Sequence, residues 1–151
     1  MTIYFDMDGT IADLYGVTDW LPKLREEDTT PYSAAKSLVD KIEFVKKVLT
    51  LQKSGVKFGV ISWTSKGGSD SYNKRVAKAK KNWLSENFPE IVLDEIHIIK
   101  YGTRKDYIAK DKFGFLFDDD ETVRNNWRGF SINPNTADIV EILTHLVELS
   151  E

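Results

Sequence analysis

Two groups of acids carry the clearest chemical signal in this chain. Asp6 and Asp8 lie one residue apart, directly after Thr2-Ile3-Tyr4-Phe5 and directly before Gly9-Thr10. Asp118, Asp119, Asp120 and Glu121 follow the run Phe113-Gly114-Phe115-Leu116-Phe117 in the same way. Carboxylates held this close repel one another, so each disfavours ionisation of the next. The arrangement is tolerable where a cation sits among them or where one keeps its proton. The first condition is a divalent-metal site and the second an acid able to give up a proton. A helix N-cap accounts for one member of the second group, Asp120 ahead of Glu121-Thr122-Val123-Arg124. It does not account for three consecutive aspartates, and the acids lack the alternating spacing of an EF-hand loop.

The elements that must position these groups follow from hydrophobic patterning. Residues 2–5 are β-branched and aromatic and predict a short buried strand, with Gly9 permitting the tight turn behind it. Further strands are expected over 56–62, 96–99, 113–117 and, briefly, 129–132. A helix is expected over 33–54 with Leu38, Ile42, Val45 and Leu49 as its buried stripe and Gly55 as its cap. A second is expected over 72–87, with Val76, Trp83 and Leu84 on its apolar side. A last helix, capped by Thr136, should pack Ile139, Val140, Leu143, Leu146 and Val147. The basic run Lys74, Arg75, Lys78, Lys80 and Lys81 reads as a solvated helix face rather than a nucleic-acid patch. His97 in its strand and His145 in its helix read as structural. Residues 13–33 are weakly patterned, with Leu14, Val17, Trp20, Leu21 and Leu24 at near-helical spacing around Pro22, and read as a small lid. Strands that alternate with helices predict a parallel sheet with right-handed crossovers and helices on both faces. All strand ends then share one edge, where α/β proteins place their ligands. The two acid groups, Asp6 and Asp8 after the first strand and Asp118 and Asp119 after residues 113–117, are expected to converge there.

Composition narrows the field of partners. The chain has 151 residues, 41% of them hydrophobic and 30% charged, with a formal net charge of −3. That length suits one domain with a real core, and the charge gives no general attraction to long nucleic acid or anionic membrane. No cysteine is present, which excludes disulfides, thiolate metal sites and cysteine nucleophiles. No apolar run reaches the length of a membrane span. The expectation is an intracellular, cytoplasmic enzyme or binding domain.

The stretch Asp6-Met7-Asp8-Gly9-Thr10 resembles the first motif of the haloacid dehalogenase-like phosphohydrolases. The resemblance implies that Asp6 is the nucleophile and Asp8 the general acid/base. Ser62-Trp63-Thr64-Ser65 followed by Lys66-Gly67-Gly68-Ser69 is similar to the second motif, in which a hydroxyl and nearby backbone N–H groups hold a phosphate oxygen. Ser62 is the first choice, because it directly follows Val60-Ile61; Thr64 is the alternative, and Trp63 lies between them. In Tyr101-Gly102-Thr103-Arg104-Lys105-Asp106-Tyr107, Lys105 is matched to the lysine of the third motif, with Lys100 as the alternative. Asp118-Asp119 resembles the fourth motif, which completes a magnesium site. The resemblance runs from Tyr4 to Asp120. It implies a single Rossmann-like α/β domain over 1–151 with 13–33 as the lid insert. It also implies Mg2+ held by Asp6, the Asp8 backbone carbonyl and Asp118 or Asp119.

The activity so implied is hydrolysis of phosphate monoesters through an aspartyl-phosphate. Within the superfamily the Tyr-Gly-Thr-x-Lys element and the Phe-Asp-Asp that follows look most like the 5'(3')-deoxyribonucleotidases. That points to a nucleoside monophosphate, with Trp63 and Trp20 placed to stack on a base at roughly 1–3 kcal/mol per base. Sugar phosphates and nucleic-acid 3' ends are alternative substrates. A receiver-type signalling domain, which also collects acids, a hydroxyl and a lysine on a parallel sheet, is the alternative from another class.

Overall fold

The computed structural model describes residues 1–151. In chain order its elements are β1 (Thr2–Phe5), β2 (Ala12–Asp13), a 3-10 turn (Leu14–Gly16), α1 (Trp20–Arg25), α2 (Thr30–Ala34), β3 (Lys36–Ser37) and α3 (Lys41–Lys53). Then come β4 (Lys57–Trp63), α4 (Asp70–Asn87), β5 (Glu95–Ile99), α5 (Lys105–Ile108), β6 (Phe115–Phe117), α6 (Glu121–Asn126), β7 (Ser131–Ile132) and α7 (Ile139–Ser150).

Five strands form one parallel sheet in the order β5-β4-β1-β6-β7. Counted along the chain, that is 3-2-1-4-5, the order of a Rossmann-like sheet. β1 lies at the centre and is buried at all four positions, as a strand covered on both faces must be. Successive side chains point to opposite faces. Ile3 and Phe5 join Phe58, Val60 and Phe117 in the larger core, under α3, α4 and α7. Tyr4, Ile61 and Leu116 meet Ala109, Val123 and Trp127 on the other face, under α5 and α6. Phe5 stacks between Phe58 and Phe117, at centroid distances of 6.1 and 5.2 Å, and meets Phe44 edge-on. These contacts lock the strand that delivers Asp6.

The α/β class, the parallel sheet and the helices on both faces match what the sequence implies, whereas two expected helix starts do not. The stretch 33–54 is divided: α2 ends at Ala34, β3 pairs antiparallel with β2, and α3 begins only at Lys41. Asp40 is the reason, because its carboxylate caps α3 by accepting from the Glu43 N–H. The buried stripe is therefore Phe44, Val48 and Leu51, while Ile42 is 80% exposed and Leu38 also faces solvent. The last helix likewise starts behind Asp138 and not Thr136. Residues 13–33 hold the 3-10 turn, α1 and α2, and the β2–β3 pair closes the base of this insert. Leu14 and Tyr32 from the insert pack on Tyr72, Val76 and Ala79 of α4. No helix is long and apolar enough to cross a membrane.

α7 packs along α3, and Leu143 is fully buried in the larger core. Leu143→Ala is expected to lower the unfolding free energy by about 2–5 kcal/mol, whereas Leu149→Ala at the exposed end should stay within about 0.5 kcal/mol of wild type. Urea denaturation of the two variants, with an unchanged slope, checks the placement of this helix.

Candidate active site

The reversal of strand order falls between β1 and β6, and the crevice beyond their carboxyl ends is where an open α/β sheet binds ligands. Both acid groups emerge there, Asp6 and Asp8 from β1, Asp118 and Asp119 from β6. Carboxylate oxygens of Asp6, Asp118 and Asp119 all lie within 4.8 Å of one another. The turn behind β1 is held by the Met7 carbonyl, which accepts from the N–H groups of Thr10, Ile11 and Ala12. Gly9 sits in that turn at φ 78°, and a Cβ there would stand 2.3 Å from Asp119 Oδ2. The left-handed backbone favours glycine here, and a Cβ would also oblige the Asp119 carboxylate to shift.

Lys105 supplies the counter-charge. It opens the short helix α5 after β5, is 3% exposed, and donates to Asp6 Oδ1 at 2.9 Å and Asp118 Oδ2 at 2.7 Å. Its ammonium also lies 5.1 Å from the centre of the Trp63 ring. Burial works against the charged ammonium, but the Asp6 and Asp118 carboxylates outweigh it and the lysine pKa is raised. Lys100, the alternative lysine, is exposed.

One cation is not enough for three acids. Burial, and then the charge of Asp6, push Asp118 up to about 7 and Asp119 up to about 8. Asp118 is already engaged through both oxygens, by Lys105 and by the Asp120 N–H at 2.9 Å. Asp119 has no cationic partner. The Asp8 carbonyl accepts none of the turn's hydrogen bonds. Oxygens of this kind, clustered and short of positive charge, fit a hard divalent cation such as magnesium. Asp120 caps α6 through the Val123 N–H, as its sequence implies.

The Asp8 side chain turns away from the three-acid cluster. Its Oδ2 accepts from Lys80 Nζ at 2.7 Å. Burial raises the Asp8 pKa, Lys80 opposes the rise, and Asp6 adds to it. A carboxyl whose pKa is raised keeps its proton to higher pH, as a general acid must. Thr10 Oγ1 donates to Asp6 Oδ2 at 3.3 Å, so each Asp6 oxygen has one neighbouring donor.

Two expectations are corrected here. Ser62 does not face the crevice: it is 0% exposed, and its hydroxyl accepts from Lys80 inside the protein. It lies within β4, where the pleat turns it inward, while Thr64 and Ser65 follow the strand and line the cavity. Of the two hydroxyls weighed, Thr64 is the one that lines the cavity. Lys80 is likewise not on a solvated face, for it is 1% exposed. The spacing Val76, Lys80, Trp83, Leu84 places it on the buried stripe of α4, a signal present in the sequence but masked by the flanking lysines.

The cavity above these groups has a volume of about 860 Å³ and takes Asp6, Asp8, Trp63, Thr64, Lys105 and Asp119 into its wall. Lys66, Gly67 and Gly68 form its rim. Two aromatic pairs add to the lining. Tyr15 and Trp20 of the insert meet edge-on at 5.0 Å, and Trp63 and Tyr101 lie 4.8 Å apart. The Trp63 ring is fixed by its Nε1–H, which donates to the Thr103 carbonyl at 2.9 Å. The insert is tied to the start of α4, where Glu27 accepts from both the N–H and the hydroxyl of Ser69 at 2.8 Å. The Tyr72 hydroxyl donates to the Asp28 carbonyl at 2.7 Å. His97 pairs with Glu95 away from this cavity, and His145 is exposed.

The chain matches no protein-family model and no curated protein sequence.

Asp118 and Asp119 hold protons more tightly in the folded chain than in the unfolded one, where an aspartate titrates near 3.8. The folded form thus binds the extra protons between about pH 4 and pH 8, and stability falls as pH rises through that window. In chelator the melting temperature should drop from pH 5 to pH 8.5. Millimolar magnesium should raise it, and by more at pH 8.5 than at pH 5, because the cation competes with those protons. Thermal melts at the two pH values, with and without the ion, read this directly.

Proposed function

We propose that this chain is a magnesium-dependent phosphatase of the haloacid dehalogenase-like kind, hydrolysing a phosphate monoester, with a nucleoside monophosphate as the favoured substrate. The observation that carries the reading is the meeting of Asp6, Lys105, Asp118 and Asp119 at the strand-order reversal, with Asp8 and Thr64 opening into the same cavity. Repulsion otherwise keeps an attacking carboxylate away from a phosphate dianion. Magnesium, held by Asp6, Asp119 and the Asp8 carbonyl, would supply the neutralising charge.

The chain's own groups then divide the work. Lys105 and the Thr64 hydroxyl stabilise the charge on the phosphoryl oxygens. An Asp6 oxygen attacks phosphorus, and the bond from phosphorus to the leaving oxygen breaks. Asp8 gives its proton to that oxygen, releasing the alcohol. Ionised Asp8 next takes a proton from water, whose oxygen attacks the aspartyl-phosphate. Phosphate leaves and the Asp6 carboxylate is restored. The sum is one ester and one water converted to one alcohol and one phosphate.

The aromatic walls support a flat leaving group. Trp63 and Trp20 are both at the cavity surface, and a nucleobase stacking on either gains roughly 1–3 kcal/mol. The volume of about 860 Å³ suits a nucleotide-sized ligand. The strand order counts against the receiver-type alternative, whose doubly wound sheet runs 2-1-3-4-5.

Asp6→Asn should fold, shown by an unchanged far-UV circular dichroism spectrum, and should lose more than about 10³-fold in kcat on p-nitrophenyl phosphate with magnesium. Wild-type turnover surviving in that variant would falsify Asp6 as the nucleophile. A panel of nucleoside monophosphates and sugar phosphates separates the substrate classes, and equal kcat/KM across it would count against base recognition.

A further inference from the structure

Lys80 belongs to none of the motifs described above, yet it is among the most completely buried charged groups of the protein. An ammonium removed from water is tolerable only when its N–H groups meet acceptors of good geometry. Lys80 meets three: Asp8 Oδ2 at 2.7 Å, Ser62 Oγ at 2.8 Å and the Trp63 carbonyl at 2.7 Å. The Tyr32 ring lies below it, 5.1 Å from Nζ to the ring centre. One acceptor belongs to the turn after β1, and the other two to the end of β4. The lysine thus clamps the Asp8 side chain to the strand from which Thr64 and the glycine turn depart. It holds Oδ2 alone, and Asp8 still reaches the cavity with its side chain 20% exposed. Lys80 itself is absent from the cavity wall.

We propose that Lys80 is the positioning residue for Asp8, fixing its rotamer so that the free carboxyl oxygen faces the leaving oxygen of the substrate. The inference rests on the phosphatase reading and extends it to a residue that touches no substrate. Two consequences separate it from a purely structural lysine. Losses on removing Lys80 fall on kcat and not on KM, because no substrate contact is lost. They also pass through Asp8, so they vanish where Asp8 can no longer transfer a proton. A displacement of about 1 Å in a reacting group can cost about 10²-fold in rate, and a general acid contributes about 10²–10⁴-fold.

The test is a double-mutant cycle of Lys80→Met and Asp8→Asn on p-nitrophenyl phosphate, with an alkyl phosphate, glycerol 2-phosphate, as second substrate. Lys80→Met is expected to lower kcat on the alkyl ester by about 10–100-fold, with KM within about twofold and a smaller loss on the aryl ester. In the Asp8→Asn background, adding Lys80→Met should change kcat less than about threefold, the mark of coupled residues. Additive losses, or a KM rise with kcat intact, would overturn the assignment. If Lys80→Met fails to fold by circular dichroism, the same cycle is run with Lys80→Arg. Its planar head keeps the charge but cannot meet three acceptors around one nitrogen, so the same coupled loss is expected and additivity again overturns it. A wild-type chain without magnesium-dependent turnover overturns the phosphatase reading and this inference with it. An active wild type with additive losses overturns the Lys80 assignment alone.

Discussion

Repulsion among three carboxylates is the constraint to which this fold answers. Asp6, Asp118 and Asp119 share a space of a few ångströms, and Lys105 is the one cation inserted directly among them. Bringing like charges together is unfavourable, and in a buried site there is little water to screen them. The chain has spent its central strand and that strand's neighbour on doing so. A helix cap or a surface turn would not require β1 and β6 to end at the same level, nor a glycine at position 9 so that Asp119 can close on the backbone. The cluster is stable to the extent that protons or a second cation complete its charge balance.

Around that centre the fold sets up a second, separate ion pair. Lys80 and Asp8 face one another as Lys105 and Asp6 do, but from a different helix and with a different distribution of contacts. Lys105 binds two carboxylates and leaves them excess negative charge. Lys80 has one carboxyl partner and two neutral oxygens. The two aspartates of one motif therefore sit in different electrostatic settings, although only Met7 separates them. Neighbouring carboxyls in different surroundings can take different roles in one site.

The parts legible in the sequence are those set by short-range pattern. The strand with Asp6 and the acids after β6 could be read in order, and parallel topology then required them to share an edge; Lys105 was separated from Lys100 only by the motif resemblance. What could not be read was side-chain direction near strand ends. Ser62 and Thr64 differ by two positions, and the choice between them turned on where β4 stops, which pairing with β5 through Trp63 decides. The division of the 33–54 stretch turned on an Asp40 cap whose signal competed with a plausible but wrong hydrophobic stripe. Lys80 stood on a correct stripe and was discounted because a charged residue in a basic run is ordinarily solvated. Its partners are 18 and 72 residues away in sequence, which no local pattern reveals.

The most direct test of the shared-cation centre is a crystal grown with manganese and measured at a wavelength that gives anomalous signal. The expected result is a single strong peak in direct contact with carboxylate oxygens from both the β1 and β6 ends, those of Asp6 and of Asp119 or Asp118. A peak bound to only one of these strand ends, or manganese found elsewhere with the three acids still tied to Lys105 alone, would contradict it.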